Sequence, residues 1–133
     1  MTFVDTNYFL RIVQSDHKEH SKIAQDFFVK AAEKNEKCCS SLVVFFETYW
    51  LLNKHFHKVQ TTLQNTLKDI LGMEFIVWEN EKVLKQAVYS MDKFNFDLED
   101  AYNFHYAKSQ KTKTFATFDK NLQIKWNKLS NHK

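Results

Sequence analysis

Short apolar runs alternate with longer amphipathic stretches along this chain, and that alternation confines it to an α/β architecture. Residues 2–5, 37–40, 74–77 and 113–118 are brief and β-like. Residues 6–14, 19–34 and 41–55 are longer, with apolar side chains at helical spacing such as Ile23, Phe27 and Ala31. Strands separated by helices pair in parallel through right-handed crossovers. The pattern therefore predicts a central parallel sheet of four to five strands flanked by helices, with residues 121–129 as a possible fifth, edge strand. Ser41 is expected to cap the third helix, Asn80 one running to about Lys93, and Asp97 one running to about Gln110. Gly72 is the expected stop for a helix over 61–71. With one Gly, no Pro and no low-complexity linker or repeat, residues 1–133 read as a single domain.

Composition narrows the function classes. No apolar run approaches the roughly 20 residues that cross a bilayer, and Met1–Asp5 lacks a basic leader, so a cytoplasmic protein is expected. Thirteen Phe, five Tyr and three Trp exceed what a core of this size uses, which places some aromatics at a partner surface. Cys38 and Cys39 are adjacent, a poor disulfide pair and a weak metal signal, and read as free thiols. The net charge is +3, and beyond Asp100 seven Lys face one acid, Asp119. That asymmetry suits a polyanion such as nucleic acid, or equally a solvated Lys-rich surface.

Four acids sit in or against apolar runs: Asp5 after Phe3-Val4, Glu47 within 42–52, Asp100 beside Ala101, and Asp119 after Phe118. An unpaired buried carboxylate costs several kcal/mol, and a shared divalent cation would relieve all four. Capping explains Asp5 and Asp119 singly, and it explains Asp97, three residues before Asp100. It does not explain Glu47, whose helix reads as apolar on every face, so a buried ion pair is the alternative there. Ligands of parallel α/β sheets bind at the carboxyl ends of strands, where Asp5 and Asp119 are expected. Oxygen ligands of this kind suit Mg²⁺ or Mn²⁺.

Phe3-Val4-Asp5-Thr6-Asn7, Ser41 with Phe46-Glu47, Asp97-Leu98-Glu99-Asp100-Ala101 and Thr117-Phe118-Asp119-Lys120 resemble the four motifs of PIN domains, in order and over essentially the whole chain. The likeness is to small PIN proteins of the VapC-like toxin type. It implies a PIN-like fold and a Mg²⁺- or Mn²⁺-dependent endoribonuclease, the toxin of a type II toxin–antitoxin pair. It implies that Asp5, Glu47, Asp100 and Asp119 are the catalytic metal-site acids, with Asn7, Thr117 and Asp97 orienting ligands or water. It further implies a homodimer and a cognate antitoxin. Lys108, Lys111, Lys113 and Lys120 are expected on the RNA backbone, and exposed aromatics on unpaired bases.

Other readings stay beside this one. An aspartyl-phosphate phosphatase at Asp5 wants a second acid two residues on, where Asn7 stands. A PIN-domain RNA-processing nuclease without an antitoxin, and a non-catalytic RNA- or protein-binding PIN module, share the same motifs. The pairs His17/His20 and His55/His57 have metal-like spacing but no completing ligand, and read as surface histidines. The stripe of Phe27, Phe28, Phe45, Phe46, Tyr49 and Trp50 reads as core or as a groove for an antitoxin helix.

Overall fold

The computed structural model describes residues 1–14, 16–55 and 59–130. They form two compact units, Met1–Glu81 and Lys82–Lys133.

The first unit is built on a parallel sheet of β1 (Thr2–Phe3), β2 (Cys38–Ser40) and β3 (Ile76–Trp78), in the order β1-β2-β3. Thr2 pairs with Cys38, and Cys38 with Ile76; Ser40 pairs with Trp78. The crossovers are α1 (Thr6–Val13) with α2 (Lys18–Lys34), and α3 (Leu42–His55) with α4 (Gln60–Leu71). The sheet's carboxyl rim is tied together by side chains. Ser40 Oγ donates to the Val4 carbonyl at 2.7 Å, and Glu79 accepts from Leu42 N–H at 3.0 Å at the start of α3. Ser41 Oγ accepts from Val44 N–H at 3.2 Å, the cap its position predicted.

The core of this unit is aromatic. Trp78 lies 5.1 Å from Phe45 in an edge-on contact and 5.2 Å from Phe9, which in turn meets Phe28 at 5.6 Å. Phe28, Phe45 and Tyr49 are buried, so that part of the aromatic stripe is core, whereas Trp50 is 49% exposed. Cys38 is buried and Cys39 half-buried, and both are free thiols. Burial, then Glu36 and Cys39, push the Cys38 thiol up from its ordinary value.

The second unit holds α5 (Glu81–Phe94), α6 (Leu98–Ser109) and α7 (Lys120–Ser130). Phe104 on α6 packs against Phe96 at 5.6 Å and edge-on against Trp126 of α7 at 5.4 Å. Asp97 caps α6 by accepting from Asp100 N–H at 2.8 Å, as its spacing predicted.

Two expected strands are corrected. Among the described residues the sheet has three strands, not four to five. Residues 121–129 belong to the helix α7: Leu122 and Trp126 recur at helical spacing and are buried together. Residues 113–118 join no ladder among the described residues. Of their side chains, Phe115 packs on Trp126 at 5.1 Å, whereas Phe118 is fully exposed. Alternation of Thr and Phe gave a β-like pattern without a partner strand to fix it. The near-absence of Gly is met by Asn: Asn35, Asn80 and Asn95 take left-handed backbone at φ of 51°, 52° and 55°. Gly72 does end α4, but at a right-handed φ of −76°.

Candidate functional site

Three of the acids predicted from the sequence are held as helix caps. Asp5 follows β1 and caps α1, its Oδ1 accepting from Thr6 N–H at 2.8 Å. Asp119 caps α7, its Oδ1 accepting from Leu122 N–H at 3.0 Å. Thr117 Oγ1 accepts from Asp119 N–H at 3.1 Å, so a short side-chain turn sets the backbone that presents Asp119. Asp97 is bonded to the backbone of Asp100.

Glu47 overturns the reading of a buried acid on an all-apolar helix. It is exposed. Val44, Phe45, Thr48, Tyr49 and Leu52 form the buried stripe of α3, and Glu47 lies on the opposite side with exposed Val43, Trp50 and Leu51. The helix looked apolar all round because that outer face also carries large apolar residues. The alternative of a buried ion pair fails with it: among the described residues Glu47 has no Lys or Arg partner. Asp5 and Asp119 are exposed as well, and Asp100 is half-buried. The acids therefore face water, where a hydrated cation has access, rather than apolar core.

Within the first unit, one residue that sequence reasoning left without a role joins two of these acids. Thr6 is 4% exposed. Its N–H bonds Asp5, and its hydroxyl donates to Glu47 Oε1 at 2.5 Å, linking acids that are 42 positions apart in the chain. The only signal in the sequence was its place between Asp5 and Asn7. Asn7 is exposed on the first turn of α1. Thr6→Val removes the hydroxyl while keeping the backbone cap. It is expected to release Glu47 from its fixed position, seen as a change in the Glu47 carboxyl chemical shift, with Thr6→Ser restoring it and both melting close to wild type.

In the second unit the electrostatics single out Asp100. Partial burial, then the carboxylates of Asp97, Asp119 and Glu99, hold it above the ordinary carboxylate range, with Lys125 opposing them. Its side chain has no hydrogen-bond partner among the described residues. Lys125 went unnoticed in the sequence as a local counter-charge; it donates to the Asn95 carbonyl at 2.7 Å and lies 4.9 Å from the Phe96 ring centre. Lys108, Lys111, Lys113 and Lys120 are all exposed, Lys108 resting 5.5 Å from the Phe104 ring centre.

Asp5, Glu47 and Asp119 each engage one carboxylate oxygen and leave the other without a partner among the described residues. Oxygen donors anchored in this way fit a hard divalent cation. Among the described residues no three or more His, Cys, Asp or Glu are brought together in a group that could hold a metal ion, so the expected cluster of four acids is not seen there. His17 and His20 are instead a stacked pair, 3.8 Å between ring centres, with His17 Nδ1 accepting from His20 N–H at 3.1 Å as the cap of α2. His57 lies outside the described residues.

The motif acids thus occupy the strand end, the third helix and two helix starts, in the order their sequence spacing sets. Comparison with protein families matches the one described as PIN domain over residues 2–125, across both units. The chain belongs to the PIN-domain family. No curated protein and no solved structure matches it. PIN domains are generally nucleases and typically use divalent metals, and the α/β fold with a helix-flanked parallel sheet is that of the family. No helix among the described residues of this PIN domain is long and apolar enough to cross a membrane.

Proposed function

We propose that this PIN domain is a Mg²⁺- or Mn²⁺-dependent endoribonuclease, acting in the cytoplasm as the toxin of a type II toxin–antitoxin pair. The observation that carries the nuclease reading is the anchoring of the motif acids: Asp5 and Glu47 are tied through Thr6, and Asp119 is fixed by its own cap, each with an oxygen to spare. Asp5, Glu47, Asp100 and Asp119 would hold the metal, which when bound supplies charge stabilisation on the phosphoryl group and lowers the pKa of water.

The chain's own groups do the rest. Thr6 orients Glu47, and Thr117 orients the backbone of Asp119. Asp97 fixes the first turn of α6 so that Asp100 is presented at a set position. Asn7, exposed two positions after Asp5, would orient water or substrate. Exposed Lys108, Lys111, Lys113 and Lys120 supply phosphate contacts that position the strand without reading its sequence.

Phe118 is a further candidate, fully exposed and adjacent to Asp119. An aromatic ring in that position offers a stacking platform for an unpaired base. Phe118→Ala is expected to weaken single-stranded RNA binding by about 1 kcal/mol or more and to leave the melting temperature unchanged, as measured by fluorescence anisotropy and thermal melting.

The toxin reading draws on α3. Val43, Trp50 and Leu51 put exposed apolar surface on the same side as Glu47. An amphipathic antitoxin helix laid there would cover a metal-site acid, which couples binding to inhibition. A homodimer would use apolar surface of the same kind.

Digestion of single-stranded RNA by the purified chain, with Mg²⁺ or Mn²⁺ and with EDTA, tests the nuclease. Cleavage that needs the metal and stops on chelation is expected; undiminished cleavage in EDTA would sink the mechanism. Expression in cells separates toxin from processing nuclease: growth arrest relieved by a small neighbouring protein is expected.

A further inference from the structure

The turn that ends α6 is closed by a residue that strains it. Lys111 N–H donates to the Lys108 carbonyl at 3.0 Å, and Thr112 N–H to the Ala107 carbonyl at 3.1 Å. That pair of bonds is the Schellman closure of a helix, whose left-handed position ordinarily takes Gly or Asn. Lys111 occupies it, at a φ of 58°. At the other left-handed positions among the described residues the chain uses Asn35, Asn80 and Asn95. A lysine Cβ is crowded in left-handed backbone, and strain kept at one residue points toward a function for it.

An open groove of about 350 Å³ lies beside this turn. Tyr106 and Gln110 line it from α6, and Thr112, Thr114 and Phe115 from the segment that follows. Tyr106 is 45% exposed, its ring stacked on Tyr102 with 6.2 Å between centres. The surroundings are positive: between Asp100 and Asp119 the chain carries three Lys and no acid. Lys111 and Lys113 are exposed and stand between lining residues in the chain, each on a flexible four-carbon stem. Tyr106 follows Asp100 by six positions on α6, about 9 Å along the helix axis. The groove therefore begins close to one of the proposed metal-site acids. Exposed aromatic surface among cations matches single-stranded nucleic acid, whose backbone takes the charge and whose unpaired bases take the ring. The volume lies at the small end of ligand clefts and suits one nucleotide. An acidic peptide would use the charge without the ring.

We propose that this groove is a substrate subsite for one unpaired nucleotide, its base against Tyr106 and its phosphate on Lys111, and that the strained turn is kept to place that ammonium. The subsite rests on the nuclease reading, so binding is measured apart from cleavage. Fluorescence anisotropy of a single-stranded oligouridylate with the full chain, in EDTA, reads the groove without turnover. Lys111→Gly relieves the left-handed strain and is expected to melt about a degree or more higher than wild type. The same variant is expected to bind the strand severalfold weaker, with a salt slope shallower by about 0.7. Tyr106→Leu keeps an apolar side chain and loses the ring. It is expected to bind at least about fivefold weaker, with salt slope and melting temperature unchanged. If Lys111 serves only the negative end of the α6 dipole, Lys111→Gly melts lower and binds as wild type does, which overturns the subsite. Full affinity in Tyr106→Leu, or displacement of the strand by an acidic peptide as readily as by a second oligonucleotide, assigns the groove to a protein segment and overturns it as well. With Mg²⁺ both variants are expected to raise KM rather than lower kcat. Metal-dependent cleavage with KM unchanged in both variants overturns the subsite and leaves the nuclease standing. Weakened binding in both variants of a chain that cuts no RNA supports the subsite and overturns the nuclease.

Discussion

Asp5→Asn is expected to reduce Mg²⁺-dependent RNA cleavage by at least about a hundredfold while leaving the protein folded and its melting temperature within a degree or two. The two halves of that expectation come from different atoms. Asp5 Oδ1 caps α1 through Thr6 N–H, and Asn caps a helix about as well as Asp. The substitution therefore preserves the local fold. What it removes is the charge on the oxygen left for the metal. Metal-derived charge stabilisation is worth several kcal/mol in a transition state, and each 1.36 kcal/mol is a factor of about ten in rate. Loss of activity with unchanged stability is thus the signature of a ligand rather than of a cap. Initial-rate measurements on a defined oligoribonucleotide, beside thermal melts, separate the two. Full activity in this variant would remove Asp5 from the metal site. Asp5→Ala supplies the contrast: it loses the cap as well, and is expected to melt lower than Asp5→Asn by an amount typical of a lost N-cap, about 1 kcal/mol.

The same residue shows which parts of the molecule could be read from sequence. Local signals were legible because their physics is local. A cap lies within a few residues of the groups it bonds, and Asp97, Ser41 and Asp5 cap where their spacing puts them. Parallel pairing also followed from the alternation of runs. What depended on a distant partner was not legible. Residues 113–118 have strand-like alternation, but a strand exists only if another strand bonds it. Residues 121–129 have a strand-like look because Leu122, Ile124 and Trp126 alternate with polar residues, yet Ile124 is exposed and only Leu122 and Trp126, at helical spacing, are buried. Glu47 misled in the opposite sense: exposed Val43, Trp50 and Leu51 hid the polar side of α3. The link from Thr6 to Glu47 spans 41 positions, beyond the reach of any window of sequence.

Asp100 carries the second large effect, and it runs in two directions. Its carboxyl is raised above the ordinary value of 3.8, first by burial and then by Asp97, Asp119 and Glu99. A helix start ordinarily favours an acid in its first turn, yet here burial and like charge prevail. The folded state holds the proton more tightly than the unfolded state. Stability is therefore lost as pH rises from 3.8 through the raised folded value, and the loss is complete above it. At neutral pH the metal-free protein carries the full penalty. Asp100→Asn removes it, so without metal the variant is expected to melt higher than wild type at pH 7, with the gap closing below pH 4. On the proposed metal site, a divalent cation is expected to reverse the order. Bound only by the folded state, it stabilises wild type by about 1.4 kcal/mol at ten times its dissociation constant, several degrees in melting temperature, and the variant by much less. RNA cleavage by the variant is expected to fall by at least about a hundredfold. Melting curves over pH 3–8, with and without Mg²⁺, measure both arms. A wild-type protein that Mg²⁺ leaves unmoved, beside a variant no more stable than it at pH 7, would mean that Asp100 is an ordinary first-turn acid. The opposite pattern would show that its acidic neighbours impose a strain on the empty fold that only a cation relieves, which is the cost a metal-dependent site carries before it is loaded.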